Sequence, residues 1–318
     1  LGSLGWTSFE SMFAGCVNLT TVVAGDTSDV TTMESMFAGA VLAQPDTSGW
    51  DTSNVVTMKE MFKDATAANP DVSNWDTTNV TDMHSLFEEA DSAEPDVSDW
   101  NTDNVTTMEE MFLRTDLADP DVSQWNTEKV TNLRRTFKGT KAANPDVATW
   151  DTSSVITMQG MFAGSDVADP DVSLWQTGTV ESMLNMFGES KVANPQVREW
   201  NTTSVTTMEN MFAGSRAADP DVSLWQTYNV QSMEAMFEEA WVANPDVREW
   251  DITEVTTLDW MFFLSVLANP DVSLWQTGTV TSMDGMFSEA FSANPNVSNW
   301  NTSSLASARH MFSEAPNA

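Results

Sequence analysis

The chain has 318 residues, with 47 aspartates and glutamates against 13 lysines and arginines and a formal net charge of −34. A charge of that sign and size repels nucleic acid phosphates and anionic membrane faces, which excludes a direct grip on either. Cys16 is the single cysteine and His84 and His310 are the only histidines, so an internal disulfide and a cysteine zinc site are excluded too, and no apolar run approaches the ~18 residues that a membrane-spanning helix needs.

The chain begins at Leu1 with no signal-like segment, so its targeting is not legible. Residues 1–40 hold atypical repeats marked by Phe13 and Phe37, 24 residues apart. From 41 to 300 the series is regular: Trp recurs every 25 residues from Trp50 to Trp300, with Pro five residues ahead of each from Pro45 to Pro295. Residues 301–318 form a C-terminal repeat around Phe312. No linker or composition break interrupts the series, which reads as one continuous domain, 1–318, of about thirteen repeats.

Each regular repeat opens on Pro-Asp-Val-Ser-x-Trp-x-Thr, a turn signal followed by a few β-compatible residues. Val55, Met58, Met61, Phe62 and Ala65 then fall at offsets 0, 3, 6, 7 and 10, which is one face of a helix. The residue before the first Met of that face is Ser8, Thr32, Thr57, Asp82, Thr107 and so on to Ser307, an N-capping type in all thirteen repeats. Thr57 with Glu60 and Thr107 with Glu110 add the glutamate of a capping box. The expected fold is therefore an α/β repeat solenoid, each coil a short strand plus a short helix. Trp, Met, Phe and Ala should stack in ladders, because no single repeat can bury its own apolar side chains. Cys16 falls where other repeats carry Ala, Ser or Thr and is expected in or near the core.

The run Asp76-Thr-Thr-Asn-Val-Thr-Asp-Met83, followed by Leu86 and Phe87, resembles the D-T-S-N-V-T-x-M-x-x-M-F signature of BspA-type leucine-rich-repeat surface proteins. The first repeat, Phe9-Glu-Ser-Met-Phe-Ala-Gly-Cys-Val-Asn-Leu-Thr20, resembles that family's M-F-x-G-C-x-x-L-T phrase. The resemblance covers nearly the whole chain. It implies a leucine-rich-repeat-like coil, and an extracellular or cell-surface protein that acts by adhesion or protein binding without catalysis. The chain departs from the pattern at Ala68-Asn-Pro-Asp71, where many members carry Phe-Asn-Gln-Asp, and at Leu133, Thr136 and Ala308, which replace methionines.

Several slots carry possible chemistry. Asp71, Asp96 and Asp121 belong to an acidic ladder, and carboxylates stacked every ~5 Å are candidate calcium ligands. Against calcium, an Asp after proline ordinarily closes an Asx turn on a backbone N–H, and that reading carries more weight. A threonine ladder from Thr27 to Thr302, broken at Ile252, reads as packing between strands. Six of the thirteen basic residues, Arg114, Lys129, Arg134, Arg135, Lys138 and Lys141, crowd into 28 positions. They form either a docking island for an acidic surface or simple relief of repulsion. The slot after the helical face ends on three apolar members, Trp241, Val266 and Phe291, with Trp260 and Phe263 nearby. These make either an exposed protein-docking patch or infill of a looser C-terminal core. A 50-residue superperiod, Asp-Val-Ser-Leu-Trp-Gln-Thr from Asp171, Asp221 and Asp271, reads as duplication of repeat pairs or as a match to a partner of ~10 Å repeat.

No phosphate loop, nucleophile elbow or distinctive carboxylate pair appears, and no cofactor is called for. The expected function is a non-catalytic extracellular or cell-surface protein that holds protein or glycan on its lateral faces. The alternative is a structural or scaffold subunit of a larger assembly, with self-association.

Overall fold

Proline at the head of each repeat cannot continue a helix, and the residues after it close a succession of turns. In the computed structural model, Asp71 Oδ1 accepts the backbone N–H of Ser73 at 3.2 Å and its hydroxyl at 2.7 Å. Asp76 Oδ1 takes the N–H of Thr78 at 3.0 Å, and Asp82 Oδ1 that of His84 at 2.9 Å. Backbone bonds from Trp75 N–H to the Val72 carbonyl and from Val80 N–H to the Thr77 carbonyl tighten the intervening chain. The structure describes residues 5–23 and 25–318; Leu1 and the parts of the 1–40 segment at residues 1–4 and 24 lie outside the described residues.

The segment expected to be helical is not a helix, and the α/β strand-plus-helix reading is corrected here. Among the described residues there is no helix, and the only extended pairings are one-residue parallel bridges. The expected N-caps are the bridge residues: Ser8 pairs with Thr32, Thr32 with Thr57, and Thr57 with Asp82. Their side chains do accept the N–H two residues on, as Thr107 does from Glu109 at 3.2 Å. The chain beyond them then takes a different course. Two slots in each repeat, Ser35 and Gly39 in one, Glu60 and Asp64 in the next, have φ between 52° and 68°. Such residues interrupt any right-handed helix. The capping-box glutamates Glu60 and Glu110 sit in this conformation, with φ 56° at both, so neither can cap.

Backbone donors alternate through this segment. The N–H groups of Met36, Ala38 and Ala40 bond three residues back, to Met33, Ser35 and Phe37. Those of Met33, Ser35, Phe37 and Gly39 point along the stack, to the carbonyls of Thr57, Lys59, Met61 and Lys63 at 2.8–3.1 Å. Packed helices stand 8–10 Å apart, whereas the Phe37 and Phe62 rings lie 5.5 Å apart and Phe62 and Phe87 5.7 Å. One helix per repeat is therefore too thick for this spacing, and a flat chain of turns fits it.

The chain divides into two compact units, Leu1–Val155 with Ser165–Ala168, and Ile156–Gly164 with Asp169–Ala318. In the first, bridges run from Ser8–Thr32 through Thr107–Asn132; in the second, from Thr157–Ser182 through Ser282–Ser307. Both have the same core. Val55, Met58, Met61, Phe62 and Ala65 are fully buried, as are Val205, Met208, Met211 and Phe212. Trp rings stack on the Trp of the next repeat, at 6.1 Å for Trp75 on Trp100 and 6.3 Å for Trp200 on Trp225. Indoles within each unit also donate to a valine carbonyl of the preceding repeat, Trp100 to Val72 at 3.1 Å and Trp200 to Val172 at 3.0 Å. Trp50 and Trp75 are exceptions, with buried Nε1 atoms that have no partner. Cys16, expected near the core, is exposed; its counterparts Ala40 and Ala65 are covered by repeats on both sides, and among the described residues Cys16 has one on a single side.

Two measurements check this architecture. Far-UV circular dichroism is expected to lack the helical double minimum. Trp200→Phe removes the indole bond to the Val172 carbonyl, which keeps its bond from the Trp175 N–H, whereas Trp50→Phe breaks no bond, so the first is expected to cost about 0.5–1.5 kcal/mol more than the second in urea unfolding.

Candidate functional site

The outward side chains are what distinguish one repeat from another. Trp241, Val266 and Phe291 occupy one slot of three successive repeats, and the N–H of Leu267 bonds the Trp241 carbonyl at 3.2 Å. Trp241 is 42 % exposed and Phe291 44 %, while Val266 is half-buried. Trp260 is 37 % exposed and meets Phe263 edge-on, with ring centroids 5.2 Å apart. Among the described residues no ring contact joins that pair to Trp241 or Phe291. Trp260 has φ 60°, in the left-handed slot, and its ring lies across the next repeat's Gly285, where an added Cβ would stand 2.4 Å from it.

Sequence reasoning missed four participants. Val242 and Leu267, each following a residue of the slot, are exposed and widen the apolar surface. Arg216 lies 4.1 Å over the Trp241 ring and 3.6 Å from Glu239, fixing the indole by a cation–π contact. Gly285 makes room for Trp260. The neighbouring slot positions hinted at the first two, and Arg216 holds the slot of Trp241 one repeat earlier, so the register was the signal for that contact.

The basic cluster is committed along its own stack. Arg114 pairs with Glu89 at 2.9 Å, Arg135 with Glu110 at 2.9 Å and Lys141 with Asp116 at 2.6 Å. Arg134 reaches Glu109 at 2.5 Å and Glu110 at 3.0 Å, and Lys129 Nζ donates to Asn104 at 2.8 Å. Lys138 is half-buried. Burial pushes the Glu109 carboxyl up, but hydrogen bonds from Arg134 and Asn132 and the charges of His84 and Arg134 outweigh it and hold the group below its ordinary value. Arg114, Arg134, Arg135 and Lys141 thus each meet an acid of the preceding repeat.

The calcium candidates Asp71, Asp96 and Asp121 each hold the serine two residues on, through its N–H and its hydroxyl. The Ser123 hydroxyl and N–H hold Asp121 below the usual carboxylate range. Among the described residues no group of three or more His, Cys, Asp or Glu side chains is placed to hold a metal ion. The threonine ladder is buried from Thr27 to Thr277, with Thr302 exposed, and hydroxyls along it bond carbonyls of the next repeat, as Thr52 does to Asp76 at 3.0 Å. Among the described residues no helix is long and apolar enough to cross a membrane.

Acidic groups border the apolar surface. Asp284 lies beneath it, its carbonyl accepting the Trp260 N–H at 2.8 Å. The Ser307 hydroxyl and the Arg309 guanidinium hold its carboxyl down at about 2. Burial pushes Glu238 up, as do the charges of Glu239 and Glu234.

Comparison with known proteins places these features in a family. Its model, described as Mycoplasma protein of unknown function, DUF285, matches residues 7–121, 113–223, 157–264 and 208–318. The chain therefore belongs to the DUF285 family, and is a repeat protein. No curated protein matches it.

Two outcomes follow from this geometry. Gly285→Ala drives a methyl into the Trp260 ring and puts a Cβ on backbone of φ 63°, and is expected to cost about 2–6 kcal/mol; in a Trp260→Ala background the ring's share should vanish and the backbone's share remain, which a double-mutant cycle separates. Glu238 binds its proton more tightly folded than unfolded. Its cost to stability is absent below its unfolded pKa, sets in as pH rises through the window up to its folded one, and is complete at neutral pH. Glu238→Gln should raise the thermal midpoint at neutral pH and leave it unchanged in acid below that window.

Proposed function

We propose that this member of the DUF285 family is a non-catalytic, extracellular or cell-surface binding protein that docks a protein partner on the apolar surface around Trp241, Trp260, Phe263, Val266 and Phe291. The observation that carries the reading is the exposure of three large aromatic rings, Trp241, Trp260 and Phe291, on a backbone locked by repeat-to-repeat hydrogen bonds. Apolar anchors of this kind, presented rigidly, supply most of the binding energy at protein interfaces. Ordering them beforehand lowers the entropic cost of association.

The electrostatics support a partner of a particular kind. The chain carries a formal charge of −34, and Glu238, Glu239 and Glu289 lie in the same repeats as the exposed rings. A partner with an apolar knob and a basic rim complements that border and is steered to it at low ionic strength. The likeness of Asp76 to Met83 and of Phe9 to Thr20 to BspA-type surface repeats supports an outward-facing location and an adhesive role.

The test begins with light scattering, in which the chain is expected to be monomeric. Serum proteins passed over the immobilised chain should be retained by wild type, and retention should fall at least about tenfold in a Trp241→Ser/Phe291→Ser variant of unchanged thermal midpoint. Equal retention by the variant, or none by wild type, overturns the reading. Self-association abolished by the same two substitutions replaces it with the structural-subunit alternative.

A further inference from the structure

In the second compact unit the segments opening at Asp171, Asp221 and Asp271 place an exposed leucine in one slot, Leu174, Leu224 and Leu274. The glutamine two residues on differs in its use. The Gln176 amide donates to the Leu174 carbonyl at 3.0 Å, and Gln226 makes the same bond to Leu224. Among the described residues the Gln276 amide makes no hydrogen bond. Two positions further along, Gly178, Tyr228 and Gly278 follow one another at 50-residue intervals. In the repeat stacked beyond each segment stand Glu199 and Asn201, then Glu249 and Asp251, then Asn299 and Asn301. Only the last segment combines glycine with two asparagines and an uncommitted glutamine.

These differences open a groove of about 450 Å³, within the range of small-molecule sites. Gln276, Gly278 and Thr279 line it from one repeat and Asn299 and Asn301 from the next, with Leu274 on its wall. None of its lining residues is charged, in a chain of formal charge −34. The adjoining groove by contrast is lined by Arg248, Glu249 and Asp251. Asn301 Oδ1 accepts the Ser303 N–H at 3.1 Å, which orients the amide. Its Nδ2 would lie 3.0 Å from a Cβ at position 278, so glycine there leaves the amide accessible. An amide offers a donor and an acceptor in one plane, and a threonine hydroxyl offers both at one atom. Converging amides and a hydroxyl beside an apolar side chain match vicinal sugar hydroxyls and the C–H face of the ring. They offer nothing to a charged group, whose desolvation would go uncompensated.

We propose that this groove binds a neutral carbohydrate, with the Gln276, Asn299 and Asn301 amides and the Thr279 hydroxyl reading its hydroxyls and Leu274 packing on its ring. The groove shares no residue with the apolar surface around Trp241, so its test stands apart from that of protein docking.

Saturation-transfer NMR on the whole chain, with maltose, cellobiose, lactose and N,N′-diacetylchitobiose in turn, is expected to give transfer to at least one of them. Gly278→Tyr and Asn299→Glu install residues that the fold already carries at Tyr228 and Glu249. Both should leave the thermal midpoint unchanged and weaken binding at least about tenfold. Trp241→Ser should leave it intact. Absence of transfer to all four sugars overturns the proposal, as do wild-type affinity in both groove variants and sialyllactose binding equal to that of lactose.

Discussion

The structure depends on the distance between repeats, which the backbone sets. Alternate N–H groups of the turn segment point along the stack to carbonyls of the next repeat, from Ser35 to Lys59 and from Glu60 to His84, each at 2.8 Å. The donors include the residues of positive φ, a conformation that costs a non-glycine residue roughly 1–3 kcal/mol. A buried backbone bond returns about 0.5–1.5 kcal/mol net, so the bond and the strain are of comparable size. The stacked Trp, Met and Phe side chains supply the remaining stabilisation. Neither part is stable alone: a single repeat would hold the strain without the bonds that offset it.

This spacing decides what the flanks can present. A slot that recurs every 25 residues becomes a ladder, and substituting one rung alters the surface locally while the core stays the same. Trp260 is such a rung: it takes the position held by Glu60 and Asn210 and lies flat because the next rung is Gly285. Gly278 is another, a glycine where the repeat 50 residues earlier carries Tyr228. Function in this architecture therefore resides in departures from the consensus, and each departure is supported by the unchanged rungs on either side.

The same ladders organise the excess negative charge. Carboxylates that close Asx turns, such as Asp46, Asp121 and Asp271, are held below their ordinary pKa by a serine hydroxyl and a backbone N–H. The cations near Arg134 sit one repeat beyond the acids they neutralise. Where no cation intervenes, as around Glu234 with Glu209 and Asp259, burial and neighbouring charge push the carboxyl up. Acid–acid contacts are thus tolerated where the backbone ladder already holds the repeats together.

The 25-residue period, the inward set of Val, Met, Phe, Trp and Ala, and the Asx turns closed on a backbone N–H at Asp71 and its counterparts were all legible in the amino-acid sequence, because each follows from local chemistry repeated many times. The turn segment was not. Apolar offsets of 0, 3, 6, 7 and 10 describe one helical face equally well as a string of tight turns with the same residues inward. The glycines at 15, 39, 139, 164 and 214 in one slot were the available sign of left-handed backbone. Side-chain partnerships such as Arg216 over Trp241, and the groove beside Gly278, join residues about a repeat apart in sequence. By itself the sequence determined the period, the core and the Asx turns. Tertiary structure alone decided turn over helix and which outer side chains meet, because both depend on the distance between stacked repeats, which no single repeat encodes.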